Sequence, residues 1–161
     1  MIAKGDFPTA LAHADLGVSI DPDDVALRID RGRIHAHAGR YDQALADYDR
    51  VLAREPANAA ALYDRALVQV DQGHEERAIR GLDAALKADP GDAETLEERG
   101  EVYLSLDDAV NALRDLGAAI AADPSRARAW SKRAETRRKL GDAAGGAADD
   151  VRARALGGGG R

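Results

Sequence analysis

Histidines are the first residues to consider for chemistry, because an imidazole can bind a metal ion or transfer a proton near neutral pH. The chain has four histidines, and His35 and His37 are the only close pair. On a helix, side chains two residues apart point about 200° apart and cannot share one metal ion. His13 and His74 lie far from this pair in the sequence. The histidines therefore predict neither a metal site nor an acid–base pair.

Carboxylates are numerous, with 29 Asp and Glu residues in 161. Adjacent pairs such as Glu97-Glu98 and Asp107-Asp108 are typical of a solvated helix face or a turn. The chain contains no cysteine, which excludes a thiol nucleophile, a disulfide and a thiolate metal site. It also lacks a Gly-rich phosphate loop, a nucleophile elbow and an HExxH motif. We therefore predict that the chain is not an enzyme and uses neither a metal ion nor a cofactor.

Proline spacing shows how the chain is organised. Four of the five prolines recur every 34 residues, at Pro22, Pro56, Pro90 and Pro124. A fixed period of this length is typical of stacked helical repeats. Without insertions, the period divides the chain into row one (25–58), row two (59–92), row three (93–126) and row four (127–160).

Each row divides into two helical stretches of about 14 residues, which we call its first and second helices. Turns are predicted in mid-row at Gly39-Arg40, Gly73-His74, Asp107-Asp108 and Gly141-Asp142. Glycine favours a helix C-terminus, and proline ends a helix because it cannot donate the next backbone hydrogen bond. Asp24, Asn58 and Asp92 are predicted to cap the first helices, and Arg126 breaks this pattern in row four.

Small residues recur at positions where helices must approach closely. We call the residues at one position of successive rows a column. One column contains Gly32, Ala66, Gly100 and Ala134, and another contains Ala44, Ala78 and Ala112. Larger side chains form the columns Leu62, Leu96, Trp130; Tyr48, Leu82, Leu116; and Leu52, Leu86, Ile120. One helix pair cannot bury both of its apolar faces, so we expect neighbouring pairs to stack and Trp130 to pack in the core.

These rows resemble tetratricopeptide repeats, over nearly the whole chain. Row one carries the marks of that family, which are Gly32, Gly39-Arg40-Tyr41, Ala44, Tyr48 and Pro56. The resemblance implies an all-α fold, a right-handed α-solenoid of antiparallel helix pairs. It also implies that the first helices line a concave groove that binds a protein or peptide.

The period predicts the domain boundaries. Residues 1–24 are predicted to be a half-repeat with a second helix only, and residues 25–58, 59–92 and 93–126 to be repeats 1 to 3. Residues 127–156 are predicted to be a degenerate capping repeat, because Gly145, Gly146 and Asp150 replace apolar or small packing residues. Residues 157–161 are predicted to be a flexible Gly-rich tail. Two explanations of the half-repeat stay open, a cap on row one or excision from a longer protein.

The groove-facing columns predict a peptide-binding site. Tyr63, Leu67 and Val70 would form an apolar anchor, the acidic residues of row three would face basic groups of a ligand, and the basic residues of row four would face acidic groups. The predicted groove residues are Ile29, Arg33, Tyr63, Leu67, Val70, Glu94, Glu97, Glu101, Arg128, Ser131, Lys132 and Arg138.

Two kinds of ligand are disfavoured. Some members of the resembled family bind chaperone C-termini through a clamp of basic side chains. Here the corresponding positions include the acidic residues Asp30, Asp64 and Glu98, so such a ligand is disfavoured. Nucleic acid is an unlikely ligand, because the net charge is −6 and backbone binding needs an extended basic surface.

A separate column contains Arg31, Arg65, Arg99 and Arg133, where a bulky apolar residue is more usual in the resembled family. We predict that these arginines form a structural ladder, with their stems packed and their guanidinium groups paired to carboxylates of adjacent helices.

The sequence therefore predicts an adaptor or scaffold that binds a protein or peptide ligand of unknown identity. Two alternatives are self-association through the terminal repeats and a non-catalytic domain of a larger multidomain protein. There is no apolar stretch of 18 residues and no apolar N-terminal run. We therefore expect a cytoplasmic protein with no membrane partner.

Overall fold

The computed structural model describes residues 7–157, so the predicted start of the half-repeat (1–6) and most of the predicted tail (158–161) lie outside the described residues. Nine α-helices account for the regular structure of residues 7–157. They are α1 (Phe7–Ile20), α2 (Val25–His37), α3 (Tyr41–Leu52), α4 (Ala59–Asp71), α5 (Glu75–Ala88), α6 (Ala93–Ser105), α7 (Ala109–Ala122), α8 (Ala127–Lys139) and α9 (Ala143–Gly157).

The helices keep the 34-residue period. First helices begin at residues 25, 59, 93 and 127, and second helices begin at 41, 75, 109 and 143. Helix α1 begins at residue 7, one period before α3. Gly157 belongs to α9, so this residue of the predicted tail is helical. None of the helices in residues 7–157 has the length and apolar character needed to cross a membrane.

Side-chain caps and left-handed turns explain why the helices start and end at these positions. Asp24, Asn58 and Asp92 each accept a hydrogen bond from the backbone N–H three residues later, at 3.0, 3.0 and 2.8 Å. Arg126 makes no such bond. The turn residues Gly39, Gly73, Asp107 and Gly141 have positive φ angles of 70°, 71°, 59° and 86°. The predicted caps are therefore confirmed.

The chain divides into two compact units. Unit 1 ends at Ala88 and contains α1 to α5; unit 2 begins at Asp89 and contains α6 to α9. In unit 1, α2 pairs with α3 and α4 with α5, while α1 packs on α2 and α3 on α4. In unit 2, α6 pairs with α7 and α8 with α9, α7 packs on α8, and α6 also contacts α8.

Small residues let paired helices approach closely, as predicted. A Cβ atom added at Gly32 would lie 2.5 Å from Cε1 of Tyr48, and one added at Gly100 would lie 2.8 Å from Cγ of Leu116. The core of unit 1 contains Ile29, Ala44, Tyr48, Val51, Ala61 and Val68, and a cluster in unit 2 contains Leu104, Ala112 and Leu116.

Trp130 is only partly buried, which corrects the prediction that it packs in the core. Its indole N–H donates to the carbonyl of Pro124 at 2.9 Å, and the guanidinium of Arg133 lies 4.7 Å from the ring centroid. The indole N–H needs a polar partner, and it finds one in the turn that precedes α8.

Candidate functional site

The first helices of unit 1 carry an apolar surface patch. Tyr63, Leu67 and Val70 are half-buried on α4, at positions i, i+4 and i+7, so they share one face of the helix. Beside Leu67 lies a cavity of about 90 Å³ between α2 and α4. Its lining residues are Arg33, Ala36, His37, Tyr48, Asp64, Leu67, Val68 and Asp71. Of the predicted site residues, Arg33 and Leu67 line this cavity, while Tyr63 and Val70 share the face of α4 with Leu67.

Arg33 crosses from α2 to α4 at this patch. Its Nε donates to Oδ2 of Asp64 at 2.7 Å and its Nη1 donates to Oδ1 of Asp30 at 3.4 Å. Burial alone would lower the pKa of Arg33, but the charge of Asp64 and its hydrogen bond raise that pKa above the ordinary value. Tyr48 lies beneath the pair with 1% of its surface exposed, and burial raises the pKa of its hydroxyl.

Ile29 does not lie on this surface. The structure places it in the core of unit 1 with 7% of its surface exposed, against Ala44, Tyr48 and Val51. The prediction that its side chain points toward a ligand is corrected, because the same face of α2 that meets the next row also covers the core. Ile29 is excluded from the candidate site.

In unit 2, the predicted acidic and basic residues contact one another. Three carboxylates of α6 face three cations at or near the start of α8, and we call these six residues the α6–α8 cluster. Its members are Glu97, Glu98, Glu101, Arg126, Arg128 and Lys132. Because opposite charges stand on adjacent first helices, they neutralise one another. A ligand on these helices would therefore meet charges that are already paired within the chain.

The charged groups of the α6–α8 cluster lie within ion-pair distance of one another. Arg126 Nε lies 2.7 Å from Glu97 Oε2, and Lys132 Nζ lies 3.4 Å from Glu101 Oε2. Glu97 has 1% of its side chain exposed, whereas Arg128 has 54% exposed. The hydrogen bond to Glu97 raises the pKa of Arg126. Burial is the main cause that raises the pKa of Glu98, although the charge of Arg128 opposes the shift.

Three further predicted residues are Glu94, whose charge contributes to the raised pKa of Arg126, Ser131 and Arg138. Glu94 and Ser131 are exposed on the surface of unit 2. Arg138 is also exposed, and its Nη1 lies 2.7 Å from Oδ2 of Asp150. The neighbouring cations Arg137 and Lys139 are paired as well, with Asp149 at 3.0 Å and Asp107 at 3.1 Å.

The predicted arginine ladder is present. Arg31, Arg99 and Arg133 each donate two hydrogen bonds to a carboxylate of the second helix in the same row. The bonds to Asp47 measure 2.8 and 2.5 Å, those to Asp115 2.6 and 2.9 Å, and those to Asp149 2.8 and 2.8 Å. The three aspartates have 3%, 3% and 2% of their surfaces exposed.

Row two lacks this carboxylate, because Gly81 stands where the other rows have aspartate. Arg65 instead donates to Asp49 of α3 at 2.8 Å. Sequence reasoning predicted the arginines and missed the aspartates, although Asp47, Asp115 and Asp149 recur in register, sixteen residues after their arginines.

Metal ligation finds no support in the geometry of residues 7–157. No group of three or more histidine and carboxylate side chains within them is arranged to hold a metal ion. His35 is half-buried on α2, and desolvation lowers its pKa.

Comparisons with known proteins agree with this architecture. Two family models, both described as tetratricopeptide repeat, match residues 1–62 and 35–96. No curated protein matches the sequence.

Several solved structures share the fold. MamA residues 41 to the end, from Desulfovibrio magneticus RS-1, aligns with TM-score 0.81 and 20% identity over 98% of this chain and 89% of that chain. TTC0263, a thermophilic TPR protein from Thermus thermophilus, aligns with TM-score 0.80 and 21% identity over 97% and 86%. YrrB, described as a TPR protein with an unusual peptide-binding site, aligns with TM-score 0.74 and 18% identity over 97% and 80%. At these identities the likeness shows the fold alone, and it confirms the predicted fold class of an all-α solenoid of helix pairs.

Proposed function

The chain belongs to the tetratricopeptide repeat family, and on this premise we propose that it is an adaptor or scaffold that binds a peptide or partner protein. The proposed contacts lie on the first helices, α2 and α4 in unit 1 and α6 and α8 in unit 2. Proteins of this family are typically non-catalytic interaction modules. The contact residues proposed are those predicted from the sequence except the buried Ile29 and Glu97: Arg33, Tyr63, Leu67, Val70, Glu94, Glu101, Arg128, Ser131, Lys132 and Arg138.

The observation that carries this proposal is the apolar patch on α4 beside its cavity. Tyr63, Leu67 and Val70 keep part of their apolar surface in contact with water, and contiguous exposed apolar surface is typical of interaction sites. The adjoining cavity of about 90 Å³ has the volume of roughly three water molecules, which suits one small side chain. The peptide-binding site described for YrrB gives support by analogy of fold.

The ion pairs within the chain make the apolar patch on α4 the main source of affinity for a ligand. The charges of Arg33 and of the α6–α8 cluster are already compensated within the chain. Contacts to such charges orient a ligand more than they bind it, because each new pair replaces an existing one. Burying apolar surface does not require an existing ion pair to be displaced.

A double substitution tests the proposal. Replacing Tyr63→Asp and Leu67→Asp introduces two charges into the patch, so a ligand would have to desolvate them on binding. We expect a peptide-display selection on the wild-type chain to enrich a motif. Binding of that motif should fall by about tenfold or more on the variant, since about 1.4 kcal/mol corresponds to a factor of ten.

The matched control is Gln43→Asp with Ala46→Asp, which adds the same charges at two exposed positions of α3 in the same unit. This control variant should bind the motif as the wild-type chain does. Helicity measured by circular dichroism must be equal in all three proteins. The proposal fails if the helical Tyr63/Leu67 variant enriches the same motif, or if the wild-type chain enriches none.

Self-association is a second candidate function, favoured by two apolar side chains on α1. Leu16 and Ile20 are 58% and 76% exposed, one helical turn apart. If they join two copies of the chain, the mass measured by light scattering should rise above 17.0 kDa with concentration. The variant Leu16→Lys with Ile20→Lys should then stay at the monomer mass. A wild-type mass that does not change with concentration would remove this candidate.

A further inference from the structure

Row two has a second cavity, of about 350 Å³, between the start of α4 and the end of α5 in unit 1. Five of its six lining residues have apolar side chains, and the sixth contributes an ammonium group. The lining residues are Pro56, Ala57, Leu62, Ala84, Lys87 and Ala88. Binding pockets typically combine an apolar wall with a few polar groups and have volumes of about 300–1,000 Å³. The cavity therefore has the lining and the size of a pocket for one large side chain.

Row four fills the corresponding position with an indole ring. The indole N–H of Trp130 donates to the carbonyl of Pro124 at 2.9 Å, and the guanidinium of Arg152 lies 6.0 Å from the ring centroid. Two periods earlier, the residues at the positions of Pro124 and Arg152 are Pro56 and Ala84. Both of these line the cavity in row two. The side chain of Trp130 therefore lies in the part of row four that corresponds to the cavity.

Row two has leucine where rows one and four have long side chains with N–H groups. Leu62 is in the column of Arg28 and Trp130. Like Trp130, Arg28 donates to the carbonyl of the proline that precedes its helix, which is Pro22. Leucine is shorter and has no N–H group. The carbonyl of Pro56 therefore lacks the donor that rows one and four supply, and the cavity beside it is accessible to a side chain from another molecule.

Lys87 gives this cavity a charge that the same position does not have in the other rows. The residues at this position in rows one, three and four are Ala53, Ala121 and Ala155. Lys87 is exposed, and it has no ion-pair partner within residues 7–157. Row three also has leucine, Leu96, in the column of Trp130, but it lacks this cation. The charge of Lys87 favours a ligand with a carboxylate beside the side chain that enters the cavity.

We propose that the cavity binds a tryptophan side chain of a partner peptide, with the indole N–H donating to the carbonyl of Pro56 and an adjacent acidic residue pairing with Lys87. The partner's indole then takes the place that Trp130 has in row four. The inference goes beyond the proposed function, because this site is separate from the apolar patch on α4. Leu62 and Tyr63 are consecutive residues of one helix, so their side chains point about 100° apart.

Chemical-shift titration of the isotope-labelled full chain tests the site with a defined probe, the blocked peptide acetyl-Ala-Ala-Trp-Glu-Ala-amide. The probe should shift the signals of Leu62, Ala84 and Ala88. Replacing its tryptophan with alanine should weaken binding about tenfold or more, because most of the buried apolar surface is lost. Replacing it with 1-methyltryptophan, which has no indole N–H, should weaken binding about threefold or more.

Substitutions copied from other rows localise the binding. Leu62→Trp introduces the residue of row four and should weaken binding of the probe about tenfold or more, because the chain's own indole then fills the cavity. The matched control is Leu96→Trp, which places the same residue in row three and should bind as the wild-type chain does. Ala84→Leu fills the cavity from α5 and replaces Leu62→Trp if that variant loses helicity by circular dichroism.

The charge of Lys87 is tested by Lys87→Ala, which introduces the alanine of the other three rows. This variant should bind the probe about threefold more weakly, the usual effect of one exposed ion pair. Its binding of a peptide with glutamine in place of glutamate should equal that of the wild-type chain.

Equal binding of the tryptophan and alanine peptides would overturn the inference. Undiminished binding of the probe by the helical Leu62→Trp or Ala84→Leu protein would overturn it as well. The Tyr63→Asp/Leu67→Asp variant should still bind the probe, so failure of this inference is distinguishable from failure of the proposed function.

Discussion

Replacing Asp115 with alanine should lower the free energy of unfolding by about 3–5 kcal/mol, the cost of breaking a buried ion pair. Asp115 has 5% of its side chain exposed and accepts two hydrogen bonds from Arg99, which is 20% exposed. Without Asp115, the Arg99 guanidinium loses its bidentate partner while remaining largely out of water. Urea denaturation followed by circular dichroism measures the change.

The control for Asp115→Ala is Asp150→Ala in the same unit. Asp150 pairs with Arg138, whose side chain is 47% exposed, so the loss should stay below about 1 kcal/mol. A third variant, Asp115→Leu with Arg99→Met, removes both charges and should recover much of the lost stability. Equal losses for Asp115→Ala and Asp150→Ala would contradict a stabilising role for the ladder.

Replacing Gly32 with alanine should destabilise unit 1 by about 1–3 kcal/mol, the usual cost of overpacking a core. The new Cβ would lie 2.5 Å from Cε1 and 2.9 Å from Cζ of Tyr48. Tyr48 is 1% exposed and has little room to move. Thermal and urea unfolding of the variant measure the loss.

The sequence of row two suggests a second substitution that should restore stability to Gly32→Ala. In row two, Ala66 and Leu82 occupy the positions of Gly32 and Tyr48 and are both fully buried. Adding Tyr48→Leu should therefore restore part of the stability that Gly32→Ala removes. Gly117→Ala is the contrasting control, because nothing lies within 4 Å of the added Cβ and alanine favours a helix. A loss on Gly117→Ala as large as that on Gly32→Ala would contradict the steric explanation.

The repeat architecture could be predicted from the sequence because its determinants are local. Prolines, glycine turns and the caps Asp24, Asn58 and Asp92 act within a few residues of the helix ends they define. The observed helices therefore start in the 34-residue register that those residues predict. Small residues such as Gly32 recur because each pair of helices meets at the same position.

The candidate site was predicted less well, because its chemistry depends on pairs of rows. Ile29, Tyr63 and Glu97 share one column, yet Ile29 lies in a core, Tyr63 is half-buried, and Glu97 is covered by Arg126 and Arg128. A column gives the direction of a side chain and carries no information about which residue of the next row meets it.

Comparing adjacent rows would have found these pairs. Oppositely charged partners on successive first helices are separated by 29 to 31 residues in Glu97–Arg126, Glu98–Arg128 and Arg33–Asp64. This separation is slightly less than one period, since the contacts run between neighbouring first helices.

Chemical-shift mapping of the isotope-labelled chain with a display-selected peptide tests the central claim most directly. Binding on the first helices of unit 1 predicts that the largest shifts fall on α4, at Tyr63, Leu67 and Val70, and on α2 at Arg33. The exposed side of α3, at Gln43 and Ala46, should stay unchanged. Shifts concentrated on α3, or on Leu16 and Ile20 of α1, with none on the α4 patch, would contradict the account.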